Sequence, residues 1–393
     1  MKDDWISAKD AQLRLGIRSQ TLYAYVSRGL LQVRAHPDDS RRSLYRSAEV
    51  EALAARKGRS RKLADVASAA IDWGEPVLES AITTVRAERL YYRGQDVVDL
   101  SHDHSFEDVA RLLLGQDDIH RPIAGRPAPP DLPDIRHRLF HMLAERAATT
   151  APMLGSSASA IAIEARLLLD LMVDAVTGNV GPGPIHTRLA IAWGQNPDGP
   201  AADIIRRTLV LVADHELNAS TFAARVTAAT GASLAAALLA GLSALSGPRH
   251  GGQSAMVRRF LAEAKLHGTR EAARGRLTEG RQLPGFGHPL YPRGDLRAIA
   301  LLDRITVPEP LAELQVLARE LAGAEPNIDF AMIAACETFG LPQDAPFALF
   351  AAARAAGWIA HAVEQSQSQT LIRPRARYIG VEPGMQSQPE FSR

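Results

Sequence analysis

Four short stretches set ionisable groups in glycine-rich or apolar surroundings, where their acid–base behaviour can depart from that of a solvated surface. In "SGPRHGGQSAM", residues 246–256, His250 stands between a proline and a glycine pair, behind a long uncharged run. Pro248 stops that run, and Gly251 and Gly252 allow close approach of backbone or ligand. His250 is then held at the end of a rigid buried element, which suits a catalytic group. "DHELNASTFAARV", residues 214–226, puts His215 just before a run of small residues. "PGFGHPLYPRGDLRA", residues 284–298, reads as a glycine-rich loop presenting His288, Arg293 and Arg297, similar to a loop that holds phosphate or carboxylate. "EPNIDFAMIAA", residues 325–335, sets Asp329 at the start of an apolar helix. A carboxylate there caps the helix or, in a water-poor cleft, serves as a general base. Singly, each segment has an ordinary structural reading, a core histidine or a helix cap.

Their order is more informative. "HELNAS", "GPRHGG", "GFGH", "NIDF" and "RPRARYIG" follow one another as in the citrate synthase family, which this chain resembles from about Gly74 to Glu382. "LYYRGQDVVDL" and "SFEDVARLLLG" match the N-terminal pattern of that family. The resemblance implies condensation of acetyl-CoA with oxaloacetate and hydrolysis of citryl-CoA, with no metal and no cofactor beyond the acyl-CoA substrate. It implies Asp329 as the base, His250 as donor to the thioester oxygen and His288 as donor to the oxaloacetate carbonyl. It assigns the substrate carboxylates to His215, Arg297, Arg354 and Arg373, with Arg373 supplied to the neighbouring subunit of a homodimer. An arginine fork suits a carboxylate because it donates two parallel hydrogen bonds. The implied fold is all-α, with a large domain over 76–251 and 349–382 and a small domain over 252–348 that closes on the substrates. One departure is Pro289, where the family commonly carries arginine after the histidine of "GFGH"; Arg293 is the candidate replacement. A 2-methylcitrate synthase using propionyl-CoA is the neighbouring alternative, because one methylene in a pocket is worth only about 1–3 kcal/mol.

The elements that must position these groups read as mostly α. The 393 residues are rich in alanine and poor in aromatics, and helix follows helix between Gly and Pro breaks. "LYYRGQDVVDL" is the best extended candidate. Residues 226–248 carry no charge and are long enough to span a membrane, but their Ser, Thr and Gly content predicts a helix buried inside a helical protein. His137, His141 and Glu145 have helical spacing that could bind zinc, yet no further ligand cluster accompanies them, so no metal site is assigned. A single cysteine, Cys336, excludes a disulfide framework, and the N-terminus lacks the pattern of a signal peptide. A cytoplasmic protein with no membrane segment is expected.

Charge divides the chain. Residues 1–62 carry 14 Lys and Arg against 7 Asp and Glu, a net of +7, whereas the remainder is net acidic. In the basic head, Ser7 and Ser19 can cap two helices ended by Gly16 and Gly29. A "HPDDS" turn joins two alternating segments, and a third helix starts at Ser47. The segments "SAKDAQLRLGIRSQTLYAYVSRGLL" and "RRSLYRSAEVEAL" resemble a MerR-type winged helix-turn-helix over 1–58, followed by a linker over 59–75; residues 383–393 form a polar tail. That resemblance implies DNA binding, with Arg18, Gln20, Thr21, Tyr23 and Arg28 on the recognition helix and Arg41, Arg42 and Tyr45 reaching phosphates from the wing. A regulator whose synthase body only senses oxaloacetate or acyl-CoA is the alternative of a different class.

Overall fold

The computed structural model describes residues 5–17, 19–27, 31–37, 39–51, 53, 78–115, 125–368, 370–376 and 378–380. It divides into two units, Met1–Glu79 and Ser80–Arg393.

The first unit is a three-stranded antiparallel sheet with helices. Strands β1 (Trp5–Ser7), β2 (Val33–His36) and β3 (Asp39–Arg46) lie in the order β1-β3-β2. Helices α1 (Ala8–Leu15) and α2 (Ser19–Ser27) are inserted between β1 and β2. Ser7 caps α1 by accepting from Asp10 N–H, and Gly16 ends it in the left-handed region. The core holds Ala11, Leu15, Leu22, Leu31, Tyr45 and Val50, with Leu53 packed against it. Tyr45 is only 1% exposed, so its assignment as a phosphate ligand is corrected. Its strand alternates, and this residue points to the helices rather than to solvent. Thr21 and Arg42 are exposed. Arg18 and Arg28, and the side chains of Gln20, Tyr23 and Arg41, lie outside the described residues.

The second unit opens with β4 (Thr83–Arg86), β5 (Arg89–Tyr92) and β6 (Gln95–Asp96), a small antiparallel sheet that includes the first part of the expected extended segment, whose residues 97–100 are helical instead. Helices follow: α3 (Val97–Asp103), α4 (Phe106–Leu114), α5 (Ile135–Thr149), α6 (Ala158–Thr177), α7 (Ile185–Ala192), α8 (Pro200–Leu211), α9 (Ala219–Ala228) and α10 (Leu234–Leu245). Then come α11 (Gln253–His267), α12 (Thr269–Thr278), α13 (Leu296–Leu302), α14 (Leu311–Ala322), α15 (Ile328–Phe339) and α16 (Ala345–Ser368). The uncharged stretch 226–248 is two elements, not one helix. Gly231 turns the chain at φ +81° and Ser233 caps α10 by accepting from Ala236 N–H, so α9 and α10 pack as a pair.

The main core gathers around α16, which packs against α4, α6, α8, α9 and α10. Among the described residues α16 alone is long and apolar enough to cross a membrane, and 89% of its apolar window is buried by the other helices. A second core of Val257, Phe260, Leu261, Leu311, Leu314, Phe330 and their neighbours joins α11, α12, α14 and α15. His137, His141 and Glu145 lie exposed on α5, with His137 Nδ1 2.9 Å from Asp134. No group of three or more metal-ligating side chains occurs among the described residues.

Candidate active site

The buried helix α16 is rich in alanine, yet Arg354, Trp358, His361 and Gln365 recur at i, i+4, i+7 and i+11. That spacing is one helical face, and it meets the segment 212–225 along its length. Arg354 Nε donates to Val212 O at 2.9 Å, and Trp358 Nε1 donates to Ser220 Oγ at 3.1 Å. His361 Nε2 pairs with Asp214 Oδ2 at 3.1 Å, and Gln365 Oε1 accepts from Arg225 Nε at 3.0 Å. This stripe clamps the strand-like turn that carries His215. Glu216, next to it, has φ +49°, a left-handed conformation that costs a non-glycine residue about 1 kcal/mol or more.

A second set of backbone contacts unites the other two segments. Gly287 N–H donates to Glu325 O at 2.8 Å, Asn327 N–H to Gly285 O at 2.9 Å, and Asn327 Nδ2 to Gly287 O at 3.1 Å. The loop of His288 is thereby sewn to the start of α15, which carries Asp329. Gly285 sits at φ +86°, and a Cβ there would stand 3.0 Å from both Phe330 and Val257. Asn327, not Asp329, caps α15, accepting from Asp329 N–H and Phe330 N–H. The capping reading of Asp329 is therefore set aside, and its carboxylate is free to face α11, where Ser254 Oγ donates to its Oδ1 at 2.7 Å.

The turn before α11 carries His250. Gly251 and Gly252 serve that turn: a Cβ on the first would lie 2.6 Å from Leu245 O, and on the second 2.7 Å from Pro248 Cα. The glycines let the chain fold back on the end of α10, so of the two approaches expected there, backbone and ligand, it is the backbone's that this turn shows.

Burial dominates the electrostatics. Desolvation raises the Asp329 carboxyl to about 6, with the Ser254 hydrogen bond and the charge of Arg297 opposing. Burial, followed by repulsion from Arg354, pushes His250 down to about 4. Burial and then Arg297 bring His288 to about 4. Both imidazoles are neutral at pH 7, so each has one N–H, and the partners dictate which. His288 Nδ1 accepts from Leu290 N–H at 3.2 Å, which leaves Nε2–H as its donor. His250 Nε2 lies 2.7 Å from Ser220 Oγ. Ser220 Oγ accepts from the Trp358 indole and stands 2.7 Å from both Asn218 Oδ1 and His250 Nε2, so its one proton has two acceptors to choose between. Where it goes to His250 Nε2, Nδ1–H is left to donate.

Two cations lie with this group. Arg354, 1% exposed, has no carboxylate within ion-pair distance among the described residues. Its partners are Val212 O and the ring of Phe350, with its guanidinium carbon 4.9 Å from the ring centre. Arg297 is different: it donates to both oxygens of Asp295 at 2.9 and 2.8 Å, so much of its charge is already balanced. Asp295 also accepts from Ile328 N–H at 3.1 Å, tying α13 to the start of α15. His215 Nε2 lies 2.8 Å from Tyr291 Oη, and its ring is 5.5 Å from that of His288.

The sequence-derived residues thus divide. His215, His250, His288, Asp329, Arg297 and Arg354 converge. Arg373 is exposed in the extended segment after α16, and no hydrogen bond or ion pair among the described residues ties it to them. Arg293 is engaged by Glu88, through its backbone N–H at 3.0 Å and its Nε at 2.6 Å, and is not a free cation. Sequence reasoning missed Ser220, Ser254, Tyr291, Asp295 and Trp358. Only Trp358 had a visible signal, the polar stripe on an alanine helix.

The family profile "Citrate synthase, C-terminal domain" matches residues 145–375, more than half of the chain. The chain belongs to the citrate synthase family. It is an enzyme of that family, an acyltransferase. "Citrate synthase 2" of Bacillus subtilis is 30% identical over 346 residues, covering 77% of this chain and 93% of that protein. The "2-methylcitrate synthase" of Shewanella oneidensis is 27% identical, covering 79% and 94%. Among solved structures, the citrate synthase of Thermoplasma acidophilum in ternary complex with carboxymethyl coenzyme A and oxaloacetate superposes with a TM-score of 0.67 at 23% identity, over 80% and 96% of the two chains. At that identity the likeness is one of fold.

Proposed function

We propose that this citrate synthase family member condenses acetyl-CoA with oxaloacetate and hydrolyses the resulting thioester, releasing citrate and CoA. The observation that carries this reading is a buried carboxyl whose pKa is raised, beside two neutral imidazoles and a buried arginine that makes no ion pair among the described residues. Asp329 takes a proton from the acetyl methyl group while His250 Nδ1–H holds the developing enol oxygen. The methyl carbon then attacks the oxaloacetate carbonyl, whose oxygen accepts from His288 Nε2–H. Arg354, with the outer edge of Arg297 and His215, receives the carboxylates. Water finally cleaves the thioester. Both cores flank this group, which supports closure of a small domain (252–348) on a large one (76–251 and 349–382). The test is release of free CoA thiol with oxaloacetate and either acetyl-CoA or propionyl-CoA. A higher kcat/KM with propionyl-CoA would make the protein a 2-methylcitrate synthase instead.

The protein acts in this reading as a cytoplasmic homodimer, with Arg373 completing the partner's site. Exposed Leu371, Tyr378 and Ile379 beside Arg373 support an arm that a second copy covers. Mixing inactive Arg373→Ala and Asp329→Ala subunits then regenerates one intact site per mixed dimer; no recovery of thiol release after exchange refutes the shared site.

The basic N-terminal unit, with its own core and hairpin, supports a second role in DNA binding. Arg18→Ala combined with Arg42→Ala should abolish the mobility shift of a DNA fragment and leave thiol release intact. A protein that shifts DNA yet releases no thiol would instead be a regulator that senses its ligands.

A further inference from the structure

The mechanism above uses one oxygen of Asp329 and leaves the other unexplained. Ser254 lies in the first turn of α11, four residues after His250, and is 5% exposed. Its hydroxyl has a single proton, donated to Asp329 Oδ1 at 2.7 Å across 75 residues of sequence. The helices α11 and α15 that carry the pair are packed in one core, with Val257 and Phe330 both against Gly285. The two residues therefore cannot drift apart without opening that core. The segment that delivers His250 also delivers Ser254, so the donor to the enol oxygen and the tether on the base are set by one turn-helix junction.

We propose that Ser254 is a positioning residue for proton abstraction: it holds Asp329 by Oδ1 so that Oδ2 is the atom that takes the proton. This rests on the reading of Asp329 as the base. An O–H donor on the first oxygen stabilises the ionised carboxylate and fixes its plane, so both protonation and orientation depend on it. The other charged groups acting on Asp329 are Arg297 and Asp295 from α13 and Arg354 from α16. Arg297 and Arg354 favour the ionised form, Asp295 opposes it, and none of them moves when Ser254 is changed.

The experiment is the pH profile of kcat/KM for wild type, Ser254→Ala and Ser254→Thr, with thermal unfolding as a check on folding. The base must be ionised, so kcat/KM rises with pH on the acid side and levels above the pKa, near 6 in the wild type. Ser254→Ala removes the donor, and the acid limb is expected to move up by about one pH unit. Its plateau kcat should fall roughly tenfold, with the KM for oxaloacetate unchanged. Ser254→Thr, which keeps the hydroxyl, should return the limb to its wild-type position. A Ser254→Ala enzyme that loses activity with the acid limb unmoved makes the residue merely structural and overturns the proposal. Unchanged kcat and pH profile overturn it equally. Asp329→Ala separates the two levels: activity retained in that variant removes the base assignment itself, whereas an inactive Asp329→Ala with an unshifted Ser254→Ala removes only the role of Ser254.

Discussion

Asp329→Ala is expected to lower kcat for CoA-thiol release by about three orders of magnitude. A positioned general base contributes roughly 10²–10⁴-fold. Asp295, whose charge also acts on Asp329, accepts from the Arg297 guanidinium and backbone N–H and from Ile328 N–H, so its oxygens are occupied. Thermal stability should hold or rise, because the substitution relieves a desolvated carboxyl and the cap of α15 is Asn327. KM for oxaloacetate should change little, since the base touches the acyl substrate. The measurement is steady-state thiol release at saturating substrates together with a melting curve. A variant within threefold of wild type would refute the mechanism.

The second large effect concerns Arg354. Its replacement by methionine keeps much of the side-chain volume and removes a charge that has no carboxylate partner in the described structure. Two charge-assisted hydrogen bonds to a substrate carboxylate are together worth about 3–4 kcal/mol, so the KM for oxaloacetate should rise by about 10²–10³-fold. Folding should not suffer in proportion. A buried unpaired guanidinium is costly, and burial already pushes this group below its ordinary pKa. The expected pattern is a large rise in KM beside an unfolding midpoint at or above that of wild type. An unchanged KM would show that Arg354 serves packing over Phe350 and not substrate. Arg297 offers the contrast: the same change there strands Asp295 and should cost stability as well.

These two predictions share a physical origin. The site is built where water is scarce, which raises a carboxyl, neutralises imidazoles and leaves Arg354 with no ion pair among the described residues. Each of these is unfavourable for the empty protein and favourable for a dianionic substrate and a developing enolate. The long polar-striped helix and the loop contacts bear that cost, because two packed cores hold the elements that carry these groups.

What the chain determined by itself was the set of candidate site groups and the helical class. His215, His250, His288 and Asp329 each sit in a short contiguous pattern of Gly, Pro and polar residues, and such patterns survive being read locally. The helices of the body follow from periodicity and from breaks such as Pro248. The partners of those groups were decided only in three dimensions. Ser254 meets Asp329 across 75 residues, Trp358 meets Ser220 across 138, and Arg293 meets Glu88 across 205. A serine or tyrosine hydroxyl has no local signature, because it takes whichever donor or acceptor packing brings to it. The same holds for Tyr45, whose strand offers two faces until helices cover one, and for the uncharged run 226–248, which a single turn at Gly231 divides. The tautomer of His288 follows from a neighbour two residues along the chain, Leu290 N–H, whereas the partner of His250, Ser220, is brought to it only by the tertiary structure.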